Sequence, residues 1–180
     1  MDSLRNQLRA ATTPQHERVD RAFSAYRLDQ PEGYRAFLQA HAQVLIPLEI
    51  ELERAGIESM LDDWPLRSRR QVLLADLQAL GCAEPPLTPP GMAPSFGWSW
   101  GAAYVIEGSR LGGRVLSRRV AEANPSAPLC YLNHGSATPL WPSFLQKLEQ
   151  QSSACDWSEV LTGANATFDR FLSAARSNRP

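Results

Sequence analysis

SFGWSWGAAYVIEGSRLGGRVLSRRVAE, residues 95–122, is apolar and helical in character, yet it contains Gly97, Gly101, Gly108, Gly112 and Gly113. Inside a helix, glycine costs roughly 1 kcal/mol against alanine. Three glycines between positions 108 and 113 therefore need a reason. Close approach of a planar ligand to the backbone of a kinked helix is one. Close packing of a second helix through small residues is another, and the stretch alone leaves both open. It is not a phosphate loop, because it lacks GxGxxG, a preceding strand and a lysine-serine pair.

The same helical character extends to both sides. Residues 3–25 read as a first helix capped by Ser3 or Asp2, with Leu4, Leu8 and Ala11 on one face and Val19 and Phe23 continuing it. Pro14 predicts either a kink or a new helix capped by Thr13. A second helix is expected over Pro31–Ala55, bent at Pro47, with Asp29 or Gln30 before it and Gly56 after it. A third is expected from Pro65 to Leu80. Its core face is Val72, Leu73, Leu77 and Leu80, and Arg67, Arg69 and Arg70 point outward. GCAEPPLTPPGMAPS, residues 81–95, reads as a rigid loop, and NPSAPLCYLNHGSATP, residues 124–139, as a second irregular one. Helices over 139–150 and 156–175 complete the pattern, the last with Trp157, Val160, Leu161, Ala164, Phe168, Phe171 and Leu172 on one face. No strand pair with a hairpin turn is visible. The prediction is an all-α protein with residues 1–180 forming a single domain.

Bulk properties narrow the function. With 18 basic and 19 acidic residues the formal charge is -1, so no global positive field favours nucleic acid or acidic lipid. Trp98, Trp100, Trp141 and Trp157 then read as core rather than as a base-stacking platform. Cys82, Cys130 and Cys155 are far apart and odd in number, which fits reduced thiols better than a disulfide framework or zinc cluster. No apolar run has signal-peptide or transmembrane character, and a cytoplasmic protein is expected.

The chain has 3 histidines and no spacing that predicts a ligand triad. His41 lies on the apolar face of the second helix and is expected to make a buried hydrogen bond or line a pocket. His134 reads as a loop residue. His16 sits on the first helix between Thr12, Thr13 and Gln15 on one side and Glu17 and Asp20 on the other. A lone helical histidine commonly has a surface or core role. One neutral imidazole on a rigid helix also suits a single axial site on haem iron.

Two segments together carry a family resemblance. LRAATTPQHERVD, residues 8–20, resembles the N-terminal motif of haem oxygenases, in which an alanine-threonine pair precedes the proximal histidine. YVIEGSRLGG, residues 104–113, resembles the distal-helix motif of bacterial members, including those associated with bacteriophytochromes. Their separation and the later ATFDRF, residues 166–171, fit as well.

The resemblance implies a helical bundle that holds haem b between a proximal and a distal helix. It implies cleavage of that haem with molecular oxygen and reducing equivalents to biliverdin, carbon monoxide and ferrous iron. His16 is then the iron ligand, with Glu17 or Asp20 able to orient its far ring nitrogen. Gly108, Ser109 and Gly112 form the catalytic distal wall, and Gly113 also contacts haem. Arg9, two turns before His16 on the same face, pairs with a propionate. Ser109 stands where mammalian-type enzymes have an aspartate. Trp141 and Leu145 stand where those enzymes place a late basic clamp, so the clamp is expected either to be weaker or to come from Arg114, Arg118 or Lys147. A ferredoxin or reductase is implied as electron donor, a bacteriophytochrome as a possible recipient of biliverdin, and the alpha isomer as product. A haem-binding protein without turnover and a haem-free helical scaffold are the competing readings.

Overall fold

A computed structural model describes residues 3–83, 93–151 and 153–179. Among these residues there is no strand. The first helix, α1, spans Leu4–Phe23, and Ser3 Oγ caps it by accepting from the Asn6 amide at 3.3 Å. Pro14 lies within a single continuous helix rather than at the start of a new one. The buried stripe is Leu4, Leu8 and Thr12, so the expected Ala11 is exposed and the i, i+4, i+8 row wins. The alternative cap Asp2 lies outside the described residues. So does most of the proline-rich loop, including Pro85, Pro86, Pro89 and Pro90.

Helix α2, Pro31–Arg54, runs through Pro47 and ends at Ala55, after which Gly56 adopts a left-handed φ of 82°. The expected third helix divides into α3, Ile57–Met60, α4, Trp64–Arg67, and α5, Arg70–Ala79. The break at Ser68–Arg69 has a clear cause. Buried Glu49 of α2 accepts from the Arg69 amide at 2.8 Å, the Arg70 amide at 3.1 Å and Ser68 Oγ at 2.6 Å. This long-range carboxylate caps the first turn of α5 and resets the helical phase. Arg67 and Arg69 consequently turn inward and are 1% and 4% exposed, against the expected outward orientation.

The opening stretch forms α6, Phe96–Gly108, and α7, Arg110–Ala123, joined at Ser109. The second expected loop contains a one-turn helix, α8, Cys130–Asn133. Buried Asp76 of α5 accepts from the Tyr131 amide at 2.8 Å and the Cys130 amide at 3.3 Å and so fixes its start. Then come α9, Leu140–Gln150, and α10, Trp157–Ser177, the latter capped by Asp156.

One apolar core joins these helices, from Leu8 of α1 through Leu45 and Leu48 of α2 and Trp100 of α6 to Phe144 of α9 and Phe168 of α10. The closest helix contact is α6 on α10. A Cβ on Gly101 would lie 1.9 Å from the Val160 carbonyl oxygen, and one on Gly163 would lie 2.1 Å from that of Trp98. Only glycine permits that separation.

Candidate functional site

A cavity of about 830 Å³ opens between α1 and the α6–α7 joint, with α2, α8 and α10 closing its inner end. That volume suits a large planar organic ligand. His16, Arg9, Gly108, Ser109, Gly112 and Gly113 all line it, so sequence positions more than ninety residues apart converge on one space.

On the α1 wall, the His16 side chain is 63% exposed. Its Nδ1 lies 3.3 Å from Asp20 Oδ2, one turn along the same helix. The Phe168 ring stands edge-on to the imidazole, with centroids 6.0 Å apart. With Nδ1 turned to a carboxylate, Nε2 is left to reach a metal. Arg9 and, one turn earlier, Arg5 line the same wall. Sequence reasoning missed Arg5, although its i, i+4 relation to Arg9 was legible.

On the opposite wall the glycines play different parts. A Cβ on Gly112 would meet no atom within 4 Å. One on Gly108 would make ordinary contact with the Trp141 ring at 3.5 Å. One on Gly113 would fall 2.7 Å from the Leu132 carbonyl oxygen, so packing of α7 on α8 already demands glycine there. Ser109 Oγ donates to the Ile106 carbonyl at 2.7 Å and accepts from Arg69 Nη2 at 2.9 Å.

Behind this joint lies a charged layer. Arg67 grips Asp63 through two hydrogen bonds of 2.7 Å and donates to Glu107 Oε2 at 2.6 Å. Arg110 donates to Glu107 Oε1 from Nη2 at 2.7 Å and to the Arg67 carbonyl. Arg67 also reaches the Leu140 carbonyl and Ser143, tying α4, the joint and α9 together. Burying a charge is costly unless it is paired and hydrogen-bonded, and this set satisfies both conditions. The available signal was Glu107 and Arg110, an i, i+3 pair inside an otherwise apolar helix.

The inner end holds the other histidines. His41 Nδ1 donates to the Phe37 carbonyl at 2.9 Å, and its ring packs among Phe23, Phe37, Tyr131 and Phe171. Desolvation holds its pKa down at about 4. His134 is more than a loop residue, because its Nδ1 accepts from Arg110 Nη1 at 3.0 Å. Burial, then the Arg110 and Arg69 charges, lower its pKa to about 4. Arginine only donates, so that nitrogen carries no proton.

The expected substitute clamp is absent from the cavity. Lys147 pairs with Asp62 and lies 3.7 Å from Asp63. Arg114, Arg118 and Leu145 do not line the cavity, whereas Trp141 does. Among the described residues no group of three or more histidine, cysteine or acidic side chains can hold a metal ion. One imidazole supplies a single ligand, as a metal carried within a larger group needs. The donor set suits such a group, with one oriented imidazole, an open glycine surface and basic groups at one edge.

A protein named heme oxygenase from Xanthomonas campestris pv. campestris (strain 8004) is 34% identical over 144 residues, covering 78% of this chain and 87% of that protein. The NO- and CO-bound heme oxygenase from Neisseria meningitidis superposes with a TM-score of 0.83 at 19% identity, over 99% of this chain and 92% of that one. The heme oxygenase structure from Leptospira interrogans gives 0.74 at 19% identity, over 98% and 100%. At that identity the two structures speak for the fold. No family model matches the chain.

Proposed function

The chain belongs to the haem oxygenase family, and from that premise we propose how its residues divide the work. The enzyme degrades haem with oxygen and reducing equivalents, giving biliverdin, carbon monoxide and ferrous iron. Haem is its substrate, and we take the b type as the one bound. His16 is the proposed iron ligand, with Asp20 holding its far nitrogen. Gly108 and Gly112 are the proposed distal surface, with Ser109 between them in the proposed catalytic wall. Gly113 meets the ligand by backbone alone, since α8 occupies the space beside it. Arg9 is the proposed propionate partner, reinforced by Arg5.

The observation that carries this assignment is the shared cavity, where an oriented imidazole on α1 and a glycine with open space on α7 line one porphyrin-sized volume. At the iron, bound haem supplies oxygen activation. The chain's own contribution is to orient the ring, keep strong acids and bases off the distal wall and exclude bulk water. His41 and His134, both held neutral near pH 7, add no acid at the inner end of the cavity.

Residues 1–180 are proposed to act as one domain, a reading supported by the continuous core. No helix among the described residues is long and apolar enough to cross a membrane. The free cysteines are compatible with the proposed cytoplasmic setting. A ferredoxin or flavoprotein reductase is the proposed electron source. A bacteriophytochrome as recipient of biliverdin rests on the likeness of YVIEGSRLGG to the motif of enzymes paired with those receptors. A non-catalytic haem binder or a haem-free scaffold is not favoured.

Hemin addition should give a sharp Soret band that decays when a reductant is supplied. His16→Ala should keep the helical fold and lose the native axial spectrum. An unchanged ferric spectrum with unchanged turnover in His16→Ala would remove this residue from the iron.

A further inference from the structure

Three arginines beside the α6–α7 joint are almost wholly buried: Arg67, Arg69 and Arg110. Arg67 and Arg110 share Glu107. Arg69 differs, since among the described residues it forms no ion pair. Its Nη2 donates to the Ile106 carbonyl at 2.6 Å and to Ser109 Oγ at 2.9 Å. Its Nε is buried without a hydrogen-bond partner. Glu49, the carboxylate at the same break, is already engaged by the amides of Arg69 and Arg70. The Tyr131 ring lies 5.3 Å from the guanidinium carbon and offers a cation only its π face.

This side chain lines the cavity. So do two neutral imidazoles, His41 and His134, and a second guanidinium, Arg110. The acids of the cavity wall, Glu17 and Asp20, both belong to α1. A buried cation with no counter-charge is costly, and a small anion in the cavity would complete its field. The bond to the Ile106 carbonyl and the one to Ser109 Oγ keep the guanidinium in place beside the distal surface.

We infer that Arg69, oriented by the Ser109 hydroxyl that accepts from it, selects small monoanions over neutral ligands on the α7 side of bound haem. Arg69 is thus a specificity-determining residue of the cavity, supplied by the break between α4 and α5 rather than by the distal helix itself. This rests on the haem reading above.

The test uses the ferric haem-loaded protein, titrated spectroscopically with azide and with imidazole. Arg69→Gln should weaken azide about tenfold, the scale of a charge-assisted hydrogen bond, and leave imidazole unchanged. Arg69→Lys should restore most of the azide affinity, and Ser109→Ala should lower the azide-to-imidazole preference a few-fold. Equal changes for both ligands, or no change, would overturn the inference. A loss of hemin affinity with an unchanged azide preference would also overturn it, because Arg69 would then be holding a haem carboxylate. If circular dichroism shows that Arg69→Gln does not fold, Ser109→Ala decides, and an unchanged preference there overturns the inference. A wild type that takes up no hemin overturns the underlying haem reading and this inference with it.

Discussion

Gly101 and Gly112 lie eleven residues apart in one apolar stretch, and they solve opposite problems. At Gly101 a Cβ would be driven into the Val160 carbonyl of α10, 1.9 Å away, whereas at Gly112 it would meet nothing within 4 Å. The first is a glycine because protein occupies the space. The second leaves space for something the chain itself does not provide. Gly163 repeats the first situation from α10, and Gly113, 2.7 Å from the Leu132 carbonyl oxygen, shows that it recurs one residue beyond the open site. A glycine-rich helix is therefore informative only position by position.

The largest expected effect comes from breaking the packed side. Gly101→Ala or Gly163→Ala should destabilise the fold by about 3 kcal/mol or more, because backbone oxygen cannot move aside as a side chain can. Thermal unfolding should show a fall of roughly 6–12 °C. An unchanged melting temperature would mean that α6 and α10 do not approach closely in solution.

These glycines also mark how far the sequence could be read. The long helices and most of their apolar faces follow from periodicity, and the glycines of GSRLGG left a kinked helix as one of two readings, which the joint at Ser109 bears out. Local periodicity could not locate the break at Ser68 or the turn of helix at Cys130. Both are capped by carboxylates from other helices, Glu49 and Asp76, across 20 and more than 50 residues of chain. Losing that phase also reversed Arg67 and Arg69, which an unbroken helix would have exposed. At the site, His16, Arg9, Gly108, Ser109 and Gly112 were legible through the paired motifs. Arg69, Arg110 and His134 were not, because their meeting depends on those long-range caps.

The inner end of the cavity is expected to fail next, under acid. The pKa values of His41 and His134 are depressed from 6.5 to about 4, so the unfolded chain binds their protons first as pH falls. Their contribution is complete above pH 6.5 and is lost as pH drops toward 4, which makes the melting temperature decline by several degrees across that window. His41→Leu keeps an apolar side chain among Phe23, Phe37 and Phe171 and should flatten part of the slope. An acid arm identical to wild type would mean that His41 is not held neutral by burial.

The open side should respond to substitution in the reverse sense from Gly101. Gly112→Ala should leave the ligand-free fold intact and stabilise it by up to about 1 kcal/mol through helix propensity. Gly112→Leu should also fold, while hemin affinity drops about tenfold or more or ring cleavage gives way to other oxidation chemistry. Equilibrium unfolding and hemin titration of the two variants separate the effects. Wild-type haem degradation by Gly112→Leu would assign this glycine to packing, like Gly101, and would erase the contrast.

The smallest effect is expected at the mouth of the cavity. Arg9 is exposed, and an exposed ion pair contributes only about 0.2 to 1 kcal/mol. Burial of the porphyrin should supply most of the binding, so Arg9→Ala should weaken hemin uptake less than fivefold. Arg5, one turn away on the same wall, retains a positive charge there and limits the loss further. Orientation is the more sensitive readout, because two seatings of a nearly symmetric ring differ little in energy and Lys147 is held elsewhere by Asp62 and Asp63. The native protein is expected to release the alpha isomer of biliverdin. Arg9→Ala should release a mixture, and the double variant with Arg5→Ala a broader one. Chromatography of the isomers from the three proteins decides the matter, and a single identical product from all three would place ring orientation with the cavity walls instead of with α1's arginines.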